Sequence, residues 1–247
     1  MVKDDKKEWF AEWFDTSYYH ILYKHRDLKE AERFISNLLG FLDLPENANC
    51  LDLACGKGRH SVYLNKLGLK VTGVDLSSNS IGSAKEFENE SLKFDVHDMR
   101  EVYKSNEYDA IFNLFTSFGY FDSDEDNLNV LRSINKMLKP EGIVVIDFMN
   151  VHKTINNLVE SESKEIDGIT FNIKRSFDGD HIYKNISFED KGHAYSFQER
   201  VQGITKEKFL DLFEATGFTV KNIFGNFSLD AFDENNSDRL IFICEKK

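Results

Sequence analysis

The stretch CLDLACGKGRHS, residues 50–61, decides how the chain is read. An apolar run carries an acidic residue, Asp52, and leads into Gly56 and Gly58, after which helix-compatible residues begin at Arg59. Glycines here let the backbone turn sharply and approach a ligand at the carboxyl end of a parallel strand. Outward from this point the pattern alternates: a helix from Arg59 to Leu67, a strand in LKVTGVD, a helix from Ser78 to Asn89, a short strand in LKFDVHD and a strand in YDAIFNLF. Strands alternating with helices are the mark of parallel βαβ units. A helix from Asp124 to Leu138 follows, closed by Lys139 and Pro140, and the turn Pro140-Glu141-Gly142 leads into the strand GIVVIDF.

Upstream, residues 1–47 predict two covering helices, one rich in aromatics (Trp9, Phe10, Trp13, Phe14) and one with Ala31, Phe34, Ile35, Leu38, Leu39 and Leu42 at helical spacing. Between Val151 and Gly203 the period changes to two after a short helical piece. ITFNIKRSF, HIYKNISFED and AYSFQERVQ alternate around Asp178-Gly179-Asp180 and Lys191-Gly192, which predicts an antiparallel β insertion at 151–203. Thr205 offers a cap for a last helix ended by Thr216-Gly217. FTVKNIFGNF and DRLIFICEKK then form an antiparallel pair, because no crossover helix lies between them. The main domain is thus 48–150 together with 204–247.

Composition narrows the function. The 247 residues, 41% apolar, suffice for one α/β domain with an insertion. No run has the length of a membrane span, and the charged start MVKDDKKEWF lacks the apolar stretch of a signal peptide, so a soluble, cytoplasmic protein is expected. Cys50, Cys55 and Cys244 sit in or beside apolar runs, which predicts reduced thiols and no bound metal. The formal charge of −12 repels a phosphate backbone; nucleic acid is not an expected partner, whereas small or cationic ligands are.

Asp75 stands seventeen residues after Gly58, at the end of VTGVD, where a carboxylate can accept hydrogen bonds from ribose hydroxyls; an adenosine ligand is implied. A dinucleotide brings an anionic pyrophosphate and favours a third small residue where Ser61 stands here. S-adenosylmethionine brings an ammonium and a sulfonium, which Asp52 attracts. The charge logic favours the sulfonium cofactor.

DLACGKGRH resembles the first motif of the class I S-adenosylmethionine-dependent methyltransferases, with Ala54 in place of the first glycine. The resemblance covers roughly residues 48–148, extends to the final antiparallel strands and implies an α/β fold with a seven-stranded Rossmann-like sheet flanked by helices. It also implies contacts: Asp52 near the methionine ammonium, Ala54, Gly56 and Gly58 along methionine and ribose, and Asp75 with Leu76 at the ribose end. DVHDM resembles the third motif, which implies Asp98 on the adenine amino group and Met99 against its ring. Asn113 to Phe118 corresponds to the fourth motif, and YYHILY, residues 18–23, resembles a tyrosine-bearing helix that folds over the cofactor and carries Tyr19 and Tyr23. The insertion sits where small-molecule members carry a substrate cap, and NLFTSF replaces the Asn-Pro-Pro-Tyr of amide and adenine methylators. Methyl transfer to a small-molecule acceptor is the implied activity.

Several residues read two ways. Asp95 and Asp98 both occupy DVHDMR. Phe115, Phe118, Tyr120 and Phe121 suit either a sulfonium pocket or ordinary packing. His60 suits a ligand contact or a helix start, and Cys55 reads as packing. Arg200 and Gln202 suit an acceptor contact or a surface pair. If a base is needed, Tyr19, His25, His193 and Tyr195 are candidates, and no catalytic residue is assigned. The competing functions are a nicotinamide-dependent oxidoreductase and a non-catalytic S-adenosylmethionine binder. A homo-dimer is expected by frequency alone.

Overall fold

Apolar strand residues flanked by amphipathic helices fold here into an α/β sheet, described in the computed structural model for residues 13–24, 28–121 and 123–247. Trp9, Phe10 and His25 lie outside these described residues. In chain order the elements begin with α1 (Ser17–Leu22), α2 (Leu28–Leu42), β1 (Asn49–Leu53), α3 (Arg59–Lys66), β2 (Lys70–Asp75), α4 (Ser78–Ala84), β3 (Leu92–Val96) and β4 (Tyr108–Asn113). They continue with α5 (Asp124–Met137), β5 (Leu138–Met149), α6 (Val151–Asn156), β6 (Ser161–Ile166), β7 (Ile169–Phe177), β8 (His181–Asp190) and β9 (His193–Gln202). Last come α7 (Lys206–Ala215), β10 (Phe218–Phe224) and β11 (Arg239–Lys246). The chain divides into a larger unit, residues 27–156 and 204–247, and a smaller one, residues 1–26 and 157–203.

The larger unit holds the expected seven-stranded sheet, in the order β10-β11-β5-β4-β1-β2-β3, with β11 antiparallel to both neighbours. Strand order reverses between β1 and β4, so the loops leaving their carboxyl ends open a crevice there. On one face Phe34, Ile35, Leu38 and Leu42 of α2 bury their stripe against Cys50, Val71 and Phe112. Phe209 and Phe213 of α7 pack on Phe148 and Phe242. Cys50, Cys55 and Cys244 are free and buried, and burial pushes the Cys50 thiol up to about 12.

Two elements of the larger unit differ from the sequence reading. Pro140-Glu141-Gly142 is not a turn before a strand. β5 already pairs at Leu138 with Tyr108, and residues 139–142 bulge between that pair and Ala110↔Ile143. Pro140 has no N–H for the ladder and Glu141 takes φ 61°, so the bulge absorbs both. The helix after Ser77 ends early, at Ala84, and continues as one 3₁₀ turn over Lys85–Phe87.

The smaller unit is a four-stranded meander, β6-β7-β8-β9, with a first strand, SESKEI, that alternation did not pick out. Its first and last hairpins turn on consecutive left-handed residues, Asp167-Gly168 and Lys191-Gly192. Trp13 and Leu22 pack with Phe171, Ile173, Ile186 and Phe188. α1 therefore belongs with the insertion and α2 with the larger sheet, and α6 stays with the larger unit. Among the described residues no helix is long and apolar enough to cross a membrane.

Candidate active site

The loop after β1 is built on alternating left-handed residues: Ala54 (φ 63°), Gly56 (φ 56°) and Gly58 (φ 78°). Each glycine has its own reason. A Cβ on Gly58 would sit 2.5 Å from Phe94 Cζ, so close packing of α3 on the sheet excludes it. A Cβ on Gly56 would meet nothing within 4 Å, so that peptide faces open space, as a cradle for a ligand does. Ala54 holds a conformation that costs a non-glycine residue roughly 1–2 kcal/mol.

Two carboxylates face this turn from neighbouring strands. Asp75, ending β2, accepts hydrogen bonds from the Gly56 amide (2.8 Å) at one oxygen and the Ser77 amide (2.8 Å) at the other. It thereby fixes the turn and the start of α4. Asp52 sits mid-strand between Gly73 and Phe112 and is 1% exposed. Burial pushes its carboxyl up to about 6, against the hydrogen bond that Ser61 Oγ donates to it at 2.6 Å. From the sequence Ser61 counted only against a dinucleotide loop; in the fold it is the partner of Asp52. Gly73 gives Ser61 its room, since a Cβ there would lie 2.7 Å from Ser61 Oγ.

The end of β4 meets the same turn. Asn113, fully buried, donates from Nδ2 to the Leu53 carbonyl at 3.0 Å, while its Oδ1 has no hydrogen-bond partner among the described residues. A buried acceptor without a donor is costly and rare, so Oδ1 marks a place for a ligand or a water. The Phe115 ring stacks on His60 (4.8 Å between centroids) under the Arg59 guanidinium (4.8 Å). Arg59 Nη2 lies 3.0 Å from His60 Nε2. A guanidinium only donates, so in this contact Nε2 is the acceptor.

Of the remaining sequence candidates, Leu76 follows Asp75 and is 39% exposed. The loop carrying Asp98 and Met99 is tied back to β2 by the His97 amide, which donates to the Asp75 carbonyl at 3.0 Å. Both Asp98 oxygens are engaged by Arg100, through its amide (2.9 Å), Nε (3.1 Å) and Nη2 (2.6 Å). Burial works to raise the Asp98 pKa, and the Arg100 hydrogen bonds and charge outweigh it, leaving the carboxyl below its ordinary value. Asp95 instead accepts from the Tyr103 hydroxyl. Phe118 packs on Phe209 and Phe121 lies under Arg100.

Tyr19 and Tyr23 belong to the smaller unit. Tyr19 packs on Trp13 and Phe14, and the Tyr23 hydroxyl donates to Glu199 at 2.7 Å, beside the Trp13 indole, which donates to the same oxygen. Tyr195 stacks on Phe188, His193 is exposed at the start of β9, Arg200 is half-buried and Gln202 is buried. The structure thus joins Asp52, Ala54, Gly56, Gly58, Asp75 and Asn113 in one bonded neighbourhood.

A profile of the methyltransferase domain family matches residues 44–217. The chain belongs to that family. It is an S-adenosylmethionine-dependent methyltransferase, and the nicotinamide alternative falls away. This methyltransferase is 30% identical over 213 residues to YqeM of Bacillus subtilis, named as a methyltransferase, across 82% of this chain and 86% of that one. It is 25% identical over 212 residues to the glycine/sarcosine N-methyltransferase of Aphanothece halophytica, across 79% and 75% of the two chains. Its fold matches the crystal structure of an S-adenosylmethionine-dependent methyltransferase from Clostridium acetobutylicum with a TM-score of 0.78 over 96% of this chain and 97% of that one, at 17% identity. The site suits the cofactor: open space at Gly56, a buried carboxylate without an ion-pair partner among the described residues, and an unmatched acceptor at Asn113.

Proposed function

We propose that the methyltransferase carries the methyl group of S-adenosylmethionine to the nitrogen of a small amine. The observation that carries this reading is Asp52, a carboxylate buried beside the glycine turn with Ser61 as its hydrogen-bond donor and no ion-pair partner among the described residues. Such a group is stabilised by a ligand that brings positive charge to it. Bound S-adenosylmethionine supplies an electrophilic methyl group on sulfur.

The chain's residues have the tasks of binding and alignment. Asp52 holds the ammonium, Ala54, Gly56 and Gly58 give backbone access, and Asp75 takes the ribose hydroxyls. Leu76 and Met99 flank the adenine, whose amino group Asp98 accepts while Arg100 holds that carboxylate in place. Asn113 Oδ1 is the acceptor left for the amino-acid end. The amine reacts through its lone pair: if it arrives as an ammonium it loses its proton to solvent before attack, and no catalytic residue is assigned.

An amine acceptor is supported by the glycine/sarcosine N-methyltransferase relative and by the net charge of −12, which favours cations over anions. The setting we favour is the cytoplasm, with a homo-dimer expected by frequency alone. The test is incubation with S-adenosylmethionine and a panel of small amines, matched alcohols and carboxylates, read by mass spectrometry. Gain of one methyl group on an amine with release of S-adenosylhomocysteine is expected. Methylation confined to the alcohols or carboxylates would overturn the amine assignment.

A further inference from the structure

The loop that leaves β4 contains two consecutive non-glycine residues in the left-handed region, Phe115 (φ 59°) and Thr116 (φ 59°). For a β-branched residue this conformation is an outlier that persists only when its surroundings over-determine it. The surroundings are two residues far away in sequence. Asp147, on β5 and 0% exposed, accepts the Phe115 amide at Oδ2 (2.8 Å), and its carbonyl accepts the Thr116 amide (2.9 Å). Arg239, opening β11, donates from Nε to Asp147 Oδ1 (2.7 Å) and from Nη2 to Thr116 Oγ1 (2.9 Å). Both backbone donors, the hydroxyl and the carboxylate are closed into one ring of bonds.

What this ring holds is a wall of the candidate site. The Phe115 ring is stacked on His60 and lies under Arg59, the two residues that follow Gly58. Two positions back, Asn113 ties β4 to Leu53 and presents its unmatched Oδ1. A loop released at Phe115 and Thr116 would relax to right-handed or extended dihedrals, swinging the ring off the start of α3 and freeing Asn113.

We propose that Asp147 and Arg239 are positioning residues for the cofactor site, acting through the left-handed Phe115-Thr116 turn; the role rests on the methyl-donor reading above. The geometry makes a specific demand on substitution. If Asp147 serves to hold left-handed dihedrals, glycine at Thr116, which adopts them freely, reduces the need for the clamp. A carboxylate that merely stabilised the sheet would gain nothing from that change.

The test compares wild type, Asp147→Asn, Arg239→Lys and the double variant Asp147→Asn/Thr116→Gly by amide hydrogen exchange and by calorimetric titration with S-adenosylhomocysteine. Expected are protected Phe115 and Thr116 amides in the wild type, lost protection and about tenfold weaker binding in Asp147→Asn, and recovery of most of that affinity in the double variant. Arg239→Lys keeps the charge but loses the fork to Thr116, and weaker binding is expected there even if Asp147→Asn does not fold. Unchanged affinity in both single variants, or no recovery in a folded double variant, would overturn the proposal. Protected amides in a wild type that binds no S-adenosylhomocysteine would instead overturn the methyl-donor reading, and the positioning role with it.

Discussion

Ser61 Oγ donates a 2.6 Å hydrogen bond to Asp52 across the first turn of α3, in space that Gly73 leaves free. The pair keeps a buried carboxylate oriented toward the glycine turn while burial holds its pKa at about 6. An acid whose folded-state pKa exceeds its unfolded value stabilises the fold below the unfolded value, and loses that contribution as pH rises through the folded one. For Asp52 the window runs from 3.8 to about 6, so at neutral pH its ionised form opposes folding by on the order of 3 kcal/mol.

Asp52→Asn is therefore expected to raise the thermal midpoint near neutral pH while weakening S-adenosylhomocysteine. In the wild type, affinity is expected to fall as pH drops below about 6, by at most tenfold per unit, and in the variant this dependence is expected to vanish. Calorimetry and thermal unfolding at several pH values check both. A variant that keeps the wild-type pH profile would assign the titration to another group.

Asp75→Ala removes the acceptor of the Gly56 and Ser77 amides as well as the ribose partner. Affinity for S-adenosylhomocysteine should drop by roughly tenfold to a hundredfold, from the loss of hydrogen bonds to a charged group. Binding at wild-type strength would remove Asp75 from the site.

Gly58→Ala places a methyl group 2.5 Å from Phe94 Cζ at φ 78°. Overpacking and left-handed strain together should destabilise the fold by about 2–4 kcal/mol, seen as a lower midpoint in chemical denaturation. A change below about 0.5 kcal/mol would show that Phe94 moves aside freely.

The legible part of this protein was local. Asp52, the two glycines and Asp75 fall within 24 residues, and each was read from its place at a strand end. Thr205 was read as a cap because its hydroxyl serves an amide three residues on. The strand SESKEI was missed because an edge strand carries charges rather than an apolar alternation, and only Ile166 of it is buried. The bulge at Pro140 was missed because Pro-Glu-Gly has the composition of a turn, whereas the buried Leu138 already pairs with Tyr108. Asp147 and Arg239 lie 92 residues apart, and no spacing within one element announces a bond that only adjacent strands create. Arg100 hides for the opposite reason: two residues from Asp98, it looks like solvated charge until the fold half-buries the pair.

Calorimetric titration of the purified protein with S-adenosylhomocysteine, with NAD run in parallel under the same salt and pH, tests the central claim most directly. Saturable one-site binding of S-adenosylhomocysteine and none of NAD is the expected result. Saturable binding of NAD with none of S-adenosylhomocysteine would contradict the cofactor role given to Asp52, the glycine turn and Asp75.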